Sequence, residues 1–112
     1  AERLFGLLFS RLPVKEGEKE PMVNILCWYE NDVYVILLYI RDKHRPSHYF
    51  AEGDANILLS PASVDLGGVL ITPLEKDFHK MDESLIAEIL DEICIGEGEN
   101  LDIIDKIKTV LR

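Results

Sequence analysis

Five side chains of the types that bind anions lie close together near the middle of the chain. These are Arg41, Lys43, His44, Arg45 and His48. Guanidinium groups recognise phosphate or carboxylate through paired hydrogen bonds, and lysine adds a compact positive charge. Because the chain as a whole carries a net charge of −9, this local excess of positive charge points to an anion site. We take the five residues as candidates for phosphate binding.

A solvated loop is the alternative interpretation of the same segment. Its basic groups would then pair with acidic side chains elsewhere, since the chain has 21 Asp and Glu against 12 Lys and Arg. Tyr49 and Phe50 fit both interpretations, because an aromatic ring can stack on a nucleotide base or pack in the protein. On sequence alone the solvated loop is favoured.

Two other motifs give weaker chemical signals. Gly67 and Gly68 lack the remaining glycines and the lysine of a P-loop, so a bend in the backbone is the expected reason for the pair. Ser60 and Ser63 do not lie in the Gly-x-Ser-x-Gly nucleophile elbow of a hydrolase. Neither motif predicts a catalytic residue.

A group of potential metal ligands follows further along the chain: Asp77, His79, Asp82 and Glu83. This spacing is common where an acidic helix begins, and no second histidine accompanies His79. We therefore expect neither a metal nor another cofactor, and we assign no catalytic residue.

Charge and hydropathy argue against two classes of partner. The net charge of −9 opposes sequence-independent nucleic-acid binding, which needs positive charge to displace counterions. No run of eighteen or more uncharged apolar residues is present, so no membrane span is predicted. Cys27 and Cys94 each lie in an apolar run, and we expect both to be buried free thiols, which favours the cytoplasm.

The elements that must position these residues begin with strands. Segments 22–29 and 33–40 are rich in β-branched and aromatic residues, and the Asn-Asp pair at 31–32 favours a hairpin turn between them. A third strand is predicted over 67–73, with 56–60 as a further candidate. Because both faces of 33–40 are apolar, we expect helices or another subunit to cover it on both sides.

Two amphipathic helices are predicted in the C-terminal third. The first covers 83–95 after the N-cap Asp82 and carries an apolar stripe. The second covers 100–111, with the apolar residues Leu101, Ile104, Ile107 and Leu111 on its packing side. Segments 13–21 and 41–53 are predicted to be loops, and 61–65 a turn.

Together these elements predict an α+β fold. A mainly antiparallel sheet over 22–73 would have the two helices of 82–112 packed on it, in a single domain over 1–112. The apolar stretch 4–12 is too short for a leader peptide and contains Arg11. We interpret it as an internal part of a longer protein, of which this chain is the C-terminal part.

Several short motifs, taken in order, resemble the C-terminal half of GDP-galactose and GDP-glucose phosphorylases. The sequence NILC at 24–27 leads into the apolar strand 33–40, and LSPASVDLGGVLI at 59–71 is followed by EKDF at 75–78. Those enzymes belong to the histidine-triad superfamily, as do diadenosine tetraphosphate phosphorylases and galactose-1-phosphate uridylyltransferases. The resemblance covers residues 22 to about 95 and is strongest to a bacterial branch of that group.

The resemblance implies the non-nucleophilic half of a nucleotidyltransferase or nucleotide-sugar phosphorylase. In that family a histidine of a His-x-His-x-Gln/His motif attacks an α-phosphate and forms a nucleotidyl-histidine. No such motif occurs in this chain, where His44 and His48 are four residues apart. The resemblance therefore places the nucleophile in an N-terminal half of the parent chain. For this half it implies a sheet, contacts in a homodimer, and basic residues that line a pocket for a nucleotide or nucleotide-sugar.

Two other functions stay open at this point. One is a catalytically silent dimerisation or binding module that has kept the fold and lost the chemistry. The other is an independent small hydrolase, which ranks below both because no nucleophile–base pair is evident. In each case this chain alone is expected to lack a complete active site.

Overall fold

The computed structural model describes residues 2–111 and consists of one hairpin and a series of helices. In chain order the elements are α1 (Glu2–Phe9), β1 (Val23–Glu30), β2 (Val33–Ile40), α2 (Ser47–Phe50), a 3-10 turn (Gly53–Ala55), α3 (Ser63–Leu66), α4 (Glu75–Phe78), α5 (Glu83–Ile93) and α6 (Glu97–Leu111). The fold is α+β, with an antiparallel sheet and two C-terminal helices, as the sequence predicts.

The hairpin pairs β1 with β2 in one uninterrupted antiparallel register. Val23 lies opposite Ile40 at its base, and Glu30 lies opposite Val33 next to the turn. Asn31 and Asp32 form the turn with φ angles of 50° and 62°. Two successive left-handed residues are typical of a type I′ turn, whose twist matches that of the strands. The predicted hairpin is confirmed.

The core consists of two apolar clusters. The first joins α6 to the base of the hairpin and contains Leu12, Ile40 and Ile103, with Val23, Ile95 and Ile107 packed against them. The second lies under α5 and contains Ile57, Leu59 and Ile89, with Leu70, Met81 and Leu85 around them. Removal of these apolar groups from water is the main force that holds the helices to the rest of the chain.

Helix α5 begins and faces the core as predicted. The Asp82 carboxylate accepts a hydrogen bond of 2.8 Å from the Leu85 N–H, which is the contact of an N-cap. Ile89 and Ile93 are buried, at 1% and 0% exposed. The helix ends at Ile93, two residues before the predicted end.

Helix α6 differs from its prediction in both start and orientation. It begins at Glu97, so Gly98 lies inside it, and it buries Ile103. Of the four residues predicted to pack, Ile107 contacts the core, whereas Leu101, Ile104 and Leu111 are exposed. Apolar residues occur on more than one side of this helix, so its periodicity allows two stripes. Contact with Leu12 and Ile40 at the hairpin base selects the stripe that contains Ile103.

The strand predicted over 67–73 and the further candidate strand over 56–60 are wrong, because local groups take the N–H donors that a sheet would need. The Leu58 N–H donates to the Asp77 carboxylate at 2.9 Å, and the Ile71 N–H donates to the Asp65 carboxylate at 3.0 Å. Gly68 has a φ of 110°, so the glycine pair makes a bend, as expected. Within residues 2–111 the sheet therefore has two strands only.

The outer part of the hairpin is not covered by any other part of residues 2–111. Tyr34 is 72% exposed and Val33 59%, so helices within residues 2–111 do not cover both faces of β2, and cover by another subunit stays a prediction. Cys27 is also exposed, and Cys94 is half-buried, which corrects the expectation of two buried thiols. No helix within residues 2–111 combines the length and apolar composition needed to cross a membrane.

Candidate anion-binding site

A cavity of about 720 Å³ opens beside the base of the hairpin. Its lining comes from β1, from the loop after β2, from α2 and from the segment before α3: Asn24, Arg41, Lys43, His44, Arg45, Phe50, Ser60, Pro61 and Ala62. A volume of this order is typical of small-molecule sites. None of these lining residues is acidic, although acids outnumber bases in the chain. The cavity is therefore a local region of positive charge.

Arg41 is the structural centre of the cavity wall. It directly follows β2 and is only 7% exposed. Its Nη1 donates to the Asn24 Oδ1 and, at 2.8 Å, to the Pro61 carbonyl. Its Nε and Nη2 donate to the Lys43 carbonyl at 3.2 and 3.0 Å, and Nη2 also donates to the His44 carbonyl at 2.8 Å.

These contacts use the whole donor set of the Arg41 guanidinium, which has five N–H groups. Burial lowers the pKa of Arg41, yet a guanidinium remains protonated in proteins. Arg41 thus contributes charge to the cavity while its hydrogen bonds fix the backbone of the Lys43–His44 turn. It acts as a positioning residue rather than as a direct ligand donor.

Asn24 is the one polar side chain that β1 contributes to this wall. Its Oδ1 accepts from Arg41, and its Nδ2 donates to the Ser63 Oγ at 3.3 Å. Asn24 therefore connects the strand, the basic loop and the start of α3. The Ser63 hydroxyl is an acceptor in this network and does not contact His48 among the hydrogen bonds of the described residues, which gives no support to a serine hydrolase.

Arg45 has a different environment from Lys43, His44 and His48, each of which lies near a carboxylate. Its guanidinium carbon lies 4.2 Å from the centre of the Tyr49 ring, a cation–π contact. Within residues 2–111, no carboxylate lies within ion-pair distance of Arg45. Arg45 thus lines the cavity with its hydrogen-bonding edge available for an anion.

Lys43 lines the same cavity but is shared with α5. Its Nζ lies 3.3 Å from the Glu92 Oε1. Glu92 also accepts hydrogen bonds from the Ser47 N–H, at 2.9 Å to each carboxylate oxygen. This backbone contact, with further help from the Ser47 hydroxyl and Lys43, outweighs partial burial and lowers the pKa of Glu92.

The two candidate histidines take separate positions. His44 lines the cavity and is largely exposed, with Nε2 3.5 Å from the Glu18 carboxylate. His48 points away from the cavity toward α5, where Nε2 lies 3.2 Å from Glu88 and Nδ1 lies 3.9 Å from Glu92. The structure thus brings Arg41, Lys43, His44 and Arg45 together and leaves His48 outside the group.

A smaller cavity of about 230 Å³ adjoins the first on the far side of Arg41. It shares Asn24, Arg41 and His44 with the first cavity, but its outer wall carries Glu18 and Glu20. Carboxylates repel anions, so an anionic ligand would be confined to the first cavity. The acids of the 13–21 loop thereby mark one boundary of the site.

Sequence reasoning missed Asn24 and Ser60 as lining residues and Glu92 behind the lining, whereas it did consider Phe50 for stacking on a base. Asn24 carried a signal, because it is a polar side chain in an otherwise apolar strand. Glu92 carried none, since α5 and its flanks contain several acids and the sequence does not say which one meets the loop. No group of three or more potential metal ligands is placed to hold an ion within residues 2–111.

Comparison of this chain with protein-family models, with curated proteins and with solved structures gives no match. What the cavity binds is therefore argued from its own side chains.

Proposed function

We propose that the cavity binds the phosphate groups of a nucleotide or nucleotide-sugar, and that this chain is the non-nucleophilic, C-terminal half of a nucleotidyltransferase or nucleotide-sugar phosphorylase. The Arg45 guanidinium carries the proposal, because it lines the cavity and pairs with no carboxylate of the described chain. Lys43, Lys76 and the histidines each have an acidic neighbour. Arg45 therefore does not fit the alternative interpretation, in which the basic groups of a solvated loop pair with acidic side chains.

The shape of the lining supports a ligand with both a charged and a flat apolar part. Arg45 and Lys43 supply the charge, while Phe50 is 70% exposed and lines the same cavity. A nucleotide base that stacks on an aromatic ring gains about 1–3 kcal/mol. Inorganic phosphate would use the cations alone, so the two kinds of ligand can be told apart by affinity.

The division of roles follows from the chemistry that the cavity offers. Covalent phosphoryl transfer needs a positioned nucleophile in addition to neutralised phosphate charge. Arg41 holds the loop, Arg45 and Lys43 neutralise charge, and no residue of the lining is placed by another as a nucleophile. We accordingly assign the nucleophile to the remainder of the parent chain, in keeping with the sequence resemblance.

Isothermal titration calorimetry with ADP, GDP and inorganic phosphate tests this function. Arg45→Ala should weaken binding about tenfold or more, since a charge-assisted hydrogen bond contributes about 1.5–3 kcal/mol. Lys108→Ala, which removes a positive charge from α6 away from the cavity, is the control and should leave the affinity unchanged. No saturable binding at millimolar ligand, or equal affinity in Arg45→Ala and the wild-type chain, would contradict the proposal.

A dimerisation or binding module is the second candidate function, and the outer part of the hairpin favours it. One face there is free of charged side chains and consists of Ile25, Cys27 and Tyr29 opposite Leu38, Ile36 and Tyr34. Contiguous exposed apolar surface often marks an interaction site. In a Cys94→Ala variant, alkylation of Cys27 should slow as protein concentration rises if a second copy covers this face. A rate that does not depend on concentration would argue against self-association.

A further inference from the structure

We propose that Glu92 sets the anion affinity of the cavity by competing with the ligand for Lys43. The inference rests on the proposed function, since it takes an anion in the cavity as given. It assigns to an α5 residue outside the cavity lining a direct influence on binding. The argument depends on how the Glu92 carboxylate and the Lys43 ammonium are shared.

Lys43 has two alternative anionic partners. Its Nζ lies 3.3 Å from the Glu92 Oε1, while the same side chain lines the cavity. The Lys43 side chain is 50% exposed and the Glu92 side chain 20% exposed. Ion pairs this accessible to water contribute little net free energy, so an incoming phosphate can displace the carboxylate from Lys43 at small cost.

Glu92 keeps other partners when Lys43 moves. Both of its oxygens accept from the Ser47 N–H at 2.9 Å, and Oε2 also accepts from the Ser47 hydroxyl at 3.2 Å. The His48 Nδ1, which is buried and has no hydrogen-bond partner among residues 2–111, lies 3.9 Å from Oε2. The Glu92 carboxylate therefore keeps hydrogen-bond donors when Lys43 moves from Glu92 to a ligand.

Glu92 thus has two separable effects on the site. Through Ser47 it ties the start of α2, and with it the basic loop, to α5, which supports the cavity. Through Lys43 it opposes the ligand, because its negative charge holds a cation that the ligand needs. Substitution by glutamine keeps a carbonyl oxygen for the Ser47 N–H and removes the charge that competes.

Glu92→Gln is therefore expected to tighten pyrophosphate binding, measured by calorimetry, by about two- to fivefold. Glu88→Gln is the matched control, since it removes the same charge from the same helix one turn away, where Glu88 contacts His48 and not Lys43. Its affinity should stay close to that of the wild-type chain. Equal tightening in both variants would show a general charge effect and overturn the inference.

A double-mutant cycle separates competition for Lys43 from support of the loop. Lys43→Gln should weaken pyrophosphate binding more in the Glu92→Gln background than in the wild-type chain, because Lys43 is then fully available to the ligand. If Glu92 only supports the loop, Glu92→Gln should weaken binding, and the effect of Lys43→Gln should be unchanged or smaller in that background. That result would overturn this inference but not the proposed function. No binding by any variant would overturn both the inference and the proposed function.

Discussion

The base of the hairpin buries a charged side chain, whereas its tip, residues 29–34, exposes apolar side chains. At the base, the charged Arg41 is 7% exposed, and carbonyl and amide oxygens surround its guanidinium. At the tip, Tyr34 is 72% exposed and Val33 59%. A buried charge is tolerated only with such a set of partners. Covering exposed apolar surface, in contrast, lowers the free energy. The buried charge at the base therefore has its hydrogen-bond partners within the chain, whereas the apolar side chains at the tip are exposed to solvent.

Replacement of Arg41 should have the largest effect and would break the base of the hairpin. Arg41→Ala leaves the carbonyls of Lys43, His44 and Pro61 without their donor, so the free energy of unfolding should fall by about 3 kcal/mol. Urea denaturation measures this change. Arg45→Ala is the control and should cost about 0.5–1 kcal/mol, the value of an exposed cation–π contact. Equal effects of the two substitutions would refute the positioning role of Arg41.

Two isoleucines on one face of β2 sharpen the comparison along the strand. Ile40 is 8% exposed in the first cluster, and Ile36, four residues earlier, is 42% exposed. Ile40→Ala should lower the free energy of unfolding by about 2–4 kcal/mol, and Ile36→Ala by about 1 kcal/mol or less at low protein concentration. Thermal denaturation at several concentrations provides the measurement. A large loss for Ile36→Ala in the monomer would mean that other residues of this chain cover the outer part of the hairpin.

The smallest predicted effect is on how the stability of the chain depends on pH under acidic conditions. Hydrogen bonds from Ser47 lower the pKa of Glu92 below its ordinary value of 4.5, so the folded state binds fewer protons than the unfolded state as pH falls. The stabilisation is fully present above about pH 4.5 and is lost as pH drops through the folded pKa. The unfolding midpoint of Glu92→Gln should therefore depend less on pH below about pH 4.5 than that of the wild-type chain. Parallel pH profiles would show that the contact between Ser47 and Glu92 does not persist in solution.

Local patterns in the sequence predicted the elements whose cause is local. Asn31 and Asp32 favour the left-handed conformation, so the hairpin was predictable from its turn. Asp82 is a good N-cap, so the start of α5 was predictable as well. The segment around Ile71 was not, because the Asp65 carboxylate takes an N–H that the apolar pattern assigned to a strand.

The candidate site was predictable in position but not in its division of roles. Local charge pointed to the basic loop, and four of its five candidates line one cavity. Composition does not reveal that the N–H groups of Arg41 donate to carbonyl groups of the protein, or that His48 faces α5. Those outcomes depend on which side of the loop meets the rest of the chain, which is a property of packing between distant segments.

The central claim is that the cavity at the hairpin base binds phosphate, and NMR titration of the isotopically labelled chain tests it most directly. With inorganic phosphate and then a nucleoside diphosphate, the backbone amides of residues 41–50 and the Arg45 side-chain N–H should shift saturably. The signals of the tip, residues 29–34, should not shift. The Arg41 side-chain N–H signals should also keep their positions, because these groups stay hydrogen-bonded to the protein. Shifts at the tip alone, or no shifts at millimolar ligand, would contradict the claim.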